Sequence, residues 1–228
     1  GRAWALMRRL VYPWAAAVVG VSPAASQYVA RFVRRRPVLT IPNPIQPPRP
    51  PAASDLRPWP LGPTVIGMGR LHPSKGFDLL LEAFAACGPA ASGWRLVILG
   101  EGPERPRLEA QALALGIAQR VHLPGQVAEP LPLLRQAEFF VMPSRYEGFP
   151  MALCEAMSCG LAVVASDCSA GVRQIVRPGV DGLLVAPGDV HSLSQCMLWL
   201  MRDPEGRARL AANAPQVAER FGLRRVLD

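Results

Sequence analysis

From Thr64 onward the apolar positions of this chain fall in short continuous runs: TVIGMG (64–69), RLVILG (95–100), VHL (121–123), EFFVM (138–142), LAVVAS (161–166) and GLLV (182–185). Runs of this length, apolar on successive residues, read as strands buried on both faces. Between them apolar residues recur every three or four places. That spacing predicts a helix over 78–87 with Leu80, Ala83, Phe84 and Cys87 on one face, and a helix over 104–115 closed by Gly116. Further helices are predicted over 131–136, around 171–176, and over 190–202 and 205–220. Buried strands alternating with helices predict an α/β fold, a parallel sheet with helices on both faces, whose ligands bind at the carboxyl ends of the strands.

The same alternation occurs once more upstream. Residues 17–22 read as a buried strand, Ser22-Pro23 as a helix start and 37–41 as a second strand. Residues 42–63 hold nine prolines and little periodicity, the composition of a stiff linker. The expected organisation is the tail of a preceding α/β domain in 1–42, a Pro-rich linker in 43–63, the main domain in 64–221 and a truncated end in 222–228. Gly1-Arg2 is not a translation start and no signal peptide follows, so the chain is expected to be a piece of a longer protein.

Ser144 to Gly160, SRYEGFPMALCEAMSCG, is where the chemistry is expected. Pro150 stands where a first helical residue would, good helix formers follow to Ser158, and Gly160 stops the helix. Glu147 falls in the loop before this helix and Glu155 in its second turn. Between them the free amides of the helix start, carrying about half a positive charge, suit a phosphate. Carboxylates would accept from sugar or ribose hydroxyls. A charged loop before an amphipathic helix with one solvated Glu explains the spacing about as well.

Composition narrows the field. Half of the 228 residues are hydrophobic, enough for a sizeable core and too many for a disordered chain. No apolar run approaches the roughly 18 residues of a membrane span. The net charge is +8, from 24 arginines and one lysine against 17 acidic residues. Arginines cluster at Arg8-Arg9, Arg34 to Arg36 and Arg224-Arg225 without interleaved aromatics, which argues against nucleic acid and leaves open a peripheral contact with an anionic membrane. The five cysteines read as small, mostly buried residues of a reducing compartment, and three isolated histidines give no zinc site.

The single lysine, Lys75, lies in GRLHPSKG (69–76), behind the first strand of the main domain and between flanking glycines. Arg70 as a fork and Lys75 as a point charge would neutralise a diphosphate from this loop, although a solvated loop remains an alternative. Gly100 and Gly102 after the second strand resemble a nucleotide loop, yet a plain turn explains them equally. Gln126 and Val127 in the turn after 121–123 would offer backbone groups to a base edge, or form an ordinary loop. Asp167-Cys168-Ser169 is expected to cap the next helix. There is no Gly-x-x-x-x-Gly-Lys loop, no Gly-x-Ser-x-Gly elbow, no His-Glu-x-x-His and no Asp-x-Asp, so metal-chelated diphosphate is disfavoured.

In order and spacing, GRLHPSKGFDLLLEAF, LVILGEGPERPRLE, VHLPGQV, PSRYEGFPMALCEAM and GLLVAPGD resemble the retaining glycosyltransferases of family 4, which have the GT-B fold of two Rossmann-like domains. The resemblance spans roughly residues 17–221 and makes 64–221 the C-terminal, donor-binding domain. It implies transfer of a hexose or N-acetylhexosamine from a nucleoside diphosphate sugar, UDP favoured over GDP, to a polysaccharide, lipopolysaccharide or lipid-linked saccharide acceptor. RYEGFP with SDCSAG resembles the bacterial branch that builds surface polysaccharide.

The resemblance assigns Gly69, Arg70 and Lys75 to the donor diphosphate, Glu155 to the ribose and Glu147 to the donor sugar. Gly148, Phe149 and Met151 would lend amides, and Gln126 and Val127 would meet the base. Glu147, Arg70 and Lys75 are the expected catalytic residues. No metal or cofactor is expected. Pro150 stands where many members have Gly, which removes one amide donor, and Asn43-Pro44 replaces Asn-Gly at the hinge. The implied location is cytoplasmic, with any membrane contact peripheral at the inner face. The acceptor site would belong mainly to the other domain, so this chain alone is expected to bind donor and not turn over. A catalytically silent nucleotide-sugar-binding subunit, a sugar-nucleotide epimerase on a similar fold and a basic adaptor remain as alternatives.

Overall fold

The computed structural model describes residues 2–33, 36–45, 62–223 and 226. The greater part of the predicted linker, 46–61, and Arg34, Arg35, Arg224 and Arg225 of the basic clusters lie outside the described residues. Helix α1 (Arg2–Val11) comes first, followed by β1 (Val18–Gly20), α2 (Pro23–Ala30) and β2 (Val38–Thr40). Helix α1 is not among the predicted elements, although Leu6, Met7, Leu10 and Val11 recur at helical spacing on one side with Arg8 and Arg9 on the other; its first turn has no acidic residue to mark the start. Helix α2 starts as its sequence demands. Ser22 is the cap, its Oγ accepting from the Ala25 amide at 3.2 Å, and Pro23 takes the first helical position.

Strands β1 and β2 pair in parallel as a separate two-stranded sheet. β1 was expected to be buried on both faces. Instead Val19 and, on β2, Leu39 are about half exposed, because α2 covers only one face of this small sheet.

The main sheet contains β3 (Thr64–Met68), β4 (Arg95–Leu99), β5 (Val121–Gly125), β6 (Phe139–Met142), β7 (Ala162–Ser166) and β8 (Gly182–Val185). Its order is β5-β4-β3-β6-β7-β8, and every neighbouring pair is parallel. Interleaved with it are α3 (Phe77–Ala86), α4 (Arg105–Ala114), α5 (Leu131–Leu134), α6 (Met151–Ser158), α7 (Ala170–Ile175) and α8 (Val190–Arg202), then α9 (Pro204–Asn213) and α10 (Val217–Arg220). Alternate strand residues feed two cores. Leu96, Ile98, Phe139, Val141, Ala162 and Val164 pack with Leu80 and Phe84 of α3, Leu108 of α4 and Met197 of α8. Their neighbours Val97, Leu99, Phe140, Met142, Val163 and Ala165 pack on the other face with Leu134 of α5, Leu153 of α6, Val172 of α7 and Val217 of α10. Phe84, Phe139 and Phe140 are fully buried, each worth roughly 1.5–3 kcal/mol over exposure.

Within the main domain three boundaries differ from expectation by more than one residue. β5 runs two residues further, to Gly125, and α5 stops at Leu134. The helix expected over 205–220 is two. Pro215 lacks the amide that would continue α9, so 214–216 tighten into a 3-10 turn and the chain restarts as α10. Upstream, Ile45 is buried, and its amide donates to the Phe221 carbonyl at 2.9 Å, so the start of the predicted linker is fastened to the end of α10.

Candidate functional site

Counting from β3, the strand order is 3-2-1-4-5-6, which reverses between β3 and β6. The chain leaves β3 toward α3 on one face of the sheet and leaves β6 toward α6 on the other. Two adjacent parallel strands whose loops part in opposite directions leave a crevice at their carboxyl ends, the place where open α/β sheets bind ligands. The two loops involved, 69–76 and 143–150, contain Arg70, Lys75 and Glu147.

These loops are laced together. Gly76 has φ +68°, and a Cβ there would lie 2.2 Å from the Pro143 carbonyl oxygen, so only glycine allows the approach. The Arg145 amide donates to the Ser74 carbonyl at 2.8 Å. The Arg145 guanidinium donates to the Pro73 carbonyl at 2.9 Å and to both oxygens of Asp78 at 2.7 Å. That fork holds the Asp78 carboxyl below its ordinary pKa. The lacing brings Lys75 Nζ to 2.7 Å from Glu147 Oε1, across 72 residues of sequence. The Ser144 hydroxyl donates to the same oxygen at 2.7 Å. Glu147 is only 9% exposed, whereas Lys75 retains 28% of its side chain in solvent.

Beside this cluster a cavity of about 320 Å³ opens over the ends of β3, β4 and β5, lined among others by Gly69, Arg70, Glu101, Gln126 and Val127. Arg70 is exposed at its wall. A Cβ on Gly69 would touch Lys75 Cδ at 3.5 Å, so the lysine stem lies against this cavity residue on its way to Glu147. Gly100 serves the loop packing: a Cβ there would stand 1.9 Å from the Gly69 carbonyl, which the turn must pass. Gly102 is packed in the same way, a Cβ there standing 2.2 Å from the Leu71 carbonyl oxygen, and the Leu71 amide donates to the Glu101 carbonyl at 2.8 Å; Gly100 also lines the cavity. The Glu101 carboxylate is gripped by Arg105, whose Nε donates to it at 2.8 and 3.1 Å and which keeps its pKa low.

At the start of α6, Pro150 is the cap residue rather than the first helical one, one place earlier in the helix than expected. Its extended ψ of 97° leaves its carbonyl to accept from Leu153 and Cys154. The amides of Gly148, Phe149, Met151 and Ala152 find no protein acceptor among the described residues. The Phe149 ring is buried edge-on against Phe221, with centroids 5.3 Å apart, and anchors the loop to the core. Met151 is half-buried. Glu155 is also half-buried; among the described residues no hydrogen bond or ion pair reaches its carboxylate, and burial raises its pKa. Among the described residues no hydrogen bond or ion pair joins it to the Lys75–Glu147 pair. Of the segment expected to cap α7, Ser169 is the cap, while Asp167 is held by Arg173 Nε at 2.6 and 2.8 Å.

The structure thus brings Gly69, Arg70, Gln126 and Val127 around one cavity, and Lys75 and Glu147 together, the lysine stem lying against the cavity residue Gly69. Sequence reading missed Ser144, Arg145 and Glu101. Ser144 stands three residues before Glu147, but nothing in PSRYEG distinguishes it from an ordinary loop serine.

Residues 60–217 match the family described as Glycosyl transferases group 1. The chain is 37% identical over 164 residues to an exopolysaccharide phosphotransferase of Streptomyces coelicolor, a match covering 67% of this chain and 17% of that protein. It is 34% identical over 164 residues to the alpha-D-kanosaminyltransferase of Streptomyces kanamyceticus, covering 71% of this chain and 42% of that enzyme. Among solved structures it superposes on Anabaena HepE in complex with UDP and glucose with a TM-score of 0.83 at 25% identity, covering 97% of this chain and 63% of that one. The chain spans less than half the length of these two curated relatives.

Proposed function

The chain belongs to the glycosyl transferases group 1 family, and from that premise we propose that it is the donor-binding half of a retaining, family 4 glycosyltransferase. It takes a hexose or N-acetylhexosamine from a nucleoside diphosphate sugar, UDP being the favoured carrier, for a polysaccharide, lipopolysaccharide or lipid-linked saccharide acceptor. One observation carries this reading. Lys75, the only lysine of the chain, packs its stem against the cavity residue Gly69 and ends on Glu147, so one cation links the loop beside the cavity to the carboxylate loop. A base in the cavity near Gln126 and Val127 puts its diphosphate between Arg70, Lys75 and the open amides of α6. Glu155, half-buried and without a partner among the described residues, is an acceptor for ribose hydroxyls.

The chemistry follows from charge. Breaking the anomeric C–O bond leaves negative charge on the departing diphosphate, and preorganised cations and helix amides stabilise it as it develops. The reading includes no metal, since Arg70, Lys75 and these amides meet the diphosphate charge. The bound UDP in the Anabaena complex and the exopolysaccharide named in the Streptomyces coelicolor relative support the carrier and the acceptor class. In this reading residues 64–221 form the donor domain and 1–42 the tail of an acceptor-side domain, joined through 43–63. The protein works in the cytoplasm, with any membrane contact peripheral. No helix among the described residues is long and apolar enough to cross a membrane.

Calorimetric titration with UDP, GDP and ADP in excess chelator, beside Lys75→Ala, tests the reading. Saturable binding of UDP that weakens at least tenfold in the variant is expected. A folded chain that binds none of the three, or a variant with unchanged affinity, refutes the diphosphate assignment.

A further inference from the structure

The carboxylate of Glu147 is divided. Lys75 Nζ and the Ser144 hydroxyl both end on Oε1, each at 2.7 Å, and among the described residues no hydrogen bond reaches Oε2. Ser144 is fully buried, and among the described residues its hydroxyl has no other acceptor. A buried hydroxyl that spends its one proton on a carboxylate oxygen makes a charge-assisted bond, of the stronger kind. The lysine cannot do this work alone. It reaches Glu147 on a flexible four-carbon stem with solvent access, and in the proposed function it also faces a diphosphate. Ser144 has one short side-chain torsion and sits on the segment leaving β6, whose position the Arg145 contacts with Ser74, Pro73 and Asp78 fix.

We propose that Ser144 is a positioning residue. By holding Oε1 it turns Oε2 toward the crevice as the acceptor that a donor-sugar hydroxyl meets, and it keeps the carboxylate oriented when Lys75 engages phosphate. The inference rests on the donor-binding reading above and adds to it a division of labour. Lys75 serves the nucleotide, and Ser144, acting through Glu147, serves the sugar.

The test separates those two parts. Calorimetry on the chain compares UDP with UDP-glucose and UDP-N-acetylglucosamine for wild type, Ser144→Ala, Glu147→Ala and the double variant, with thermal unfolding recorded for each. Ser144→Ala should leave UDP affinity unchanged and weaken the better-bound sugar nucleotide about tenfold, the size expected for losing a hydrogen bond to a charged group. Because Ser144 acts through Glu147, the double variant should lose no more discrimination than Glu147→Ala alone. Unchanged sugar-nucleotide affinity, an equal loss for UDP and its sugars, or additive losses in the double variant each overturn the proposal while leaving the donor reading standing. Absence of any uridine nucleotide binding by wild type would instead remove the reading beneath both. If Ser144→Ala loses its fold, Ser144→Cys, which keeps the shape and weakens the donor, carries the same comparison with the same outcomes.

Discussion

A half-buried carboxylate without a partner, as at Glu155, costs the fold free energy whenever it is charged. Burial raises its pKa above the ordinary 4.5, so the folded chain holds this proton more tightly than the unfolded one. The handicap is therefore full at neutral pH, fades as pH falls through the raised pKa, and is gone below the unfolded value. Glu155→Gln should melt higher than wild type near neutral pH, with the two curves converging toward pH 4.5, and should bind UDP more weakly. Thermal melts across that range and one titration check both halves; a variant less stable at neutral pH would mean the carboxylate has a partner. Glu147, Glu155, Arg70 and Lys75 were legible as candidates because each stands beside a strand end or helix start that the local pattern marks. The bond between Lys75 and Glu147 was not, since it depends on how two loops 72 residues apart come to lie against each other.

The elements that make this meeting possible are the ends of β3 and β6, and Arg145 is the joint between them. Its fork on Asp78 depresses that carboxyl, so the pair contributes stability above the unfolded pKa of Asp78 and loses it as pH falls through the lowered folded value. Arg145 is 41% exposed, so solvent screening limits the ion pair to about 1 kcal/mol or less. Arg145→Ala should therefore destabilise modestly at neutral pH and hardly at all in acid. It should also weaken UDP binding, because the loop carrying Lys75 loses the guanidinium contacts at Pro73 and Asp78 that help hold it against the loop carrying Glu147. Urea unfolding at two pH values and a UDP titration decide this; a pH-independent loss of stability would place the contribution of Arg145 in packing instead. At this scale the strands of the main sheet were readable because burial on both faces forces uninterrupted apolar runs. Helix α1 was missed although its sequence is amphipathic, Leu6, Met7, Leu10 and Val11 at helical spacing on one side and Arg8 and Arg9 on the other, because it is short and starts without an acidic residue, and the division of 205–220 turned on Pro215, whose effect periodicity averages away.

Over the whole molecule the two sheets are finished to different degrees. The six-stranded sheet has helices on both faces and a closed core, whereas α1, the 3-10 turn that follows it (Tyr12–Trp14) and the β1–β2 sheet leave apolar side chains in solvent, Trp4 at 66% and Trp14 at 86% exposure, with Leu10, Val19 and Leu39 also open. Contiguous apolar surface beyond a few hundred Å² on a folded chain marks a contact face or a site of association. In the proposed organisation the acceptor-side domain covers it. The free chain should then associate with itself as its concentration rises, without help from the nucleotide site on the other sheet. Light scattering after gel filtration should show mass increasing with loading, and Leu10→Glu with Trp14→Glu should restore a monomer whose UDP affinity is unchanged. Neither residue lies in the cavity or in the loops that bound it, so a fall in affinity would show that the small sheet supports the donor site directly. The contact of Ile45 with Phe221, which packs on Phe149, is the route by which it would do so.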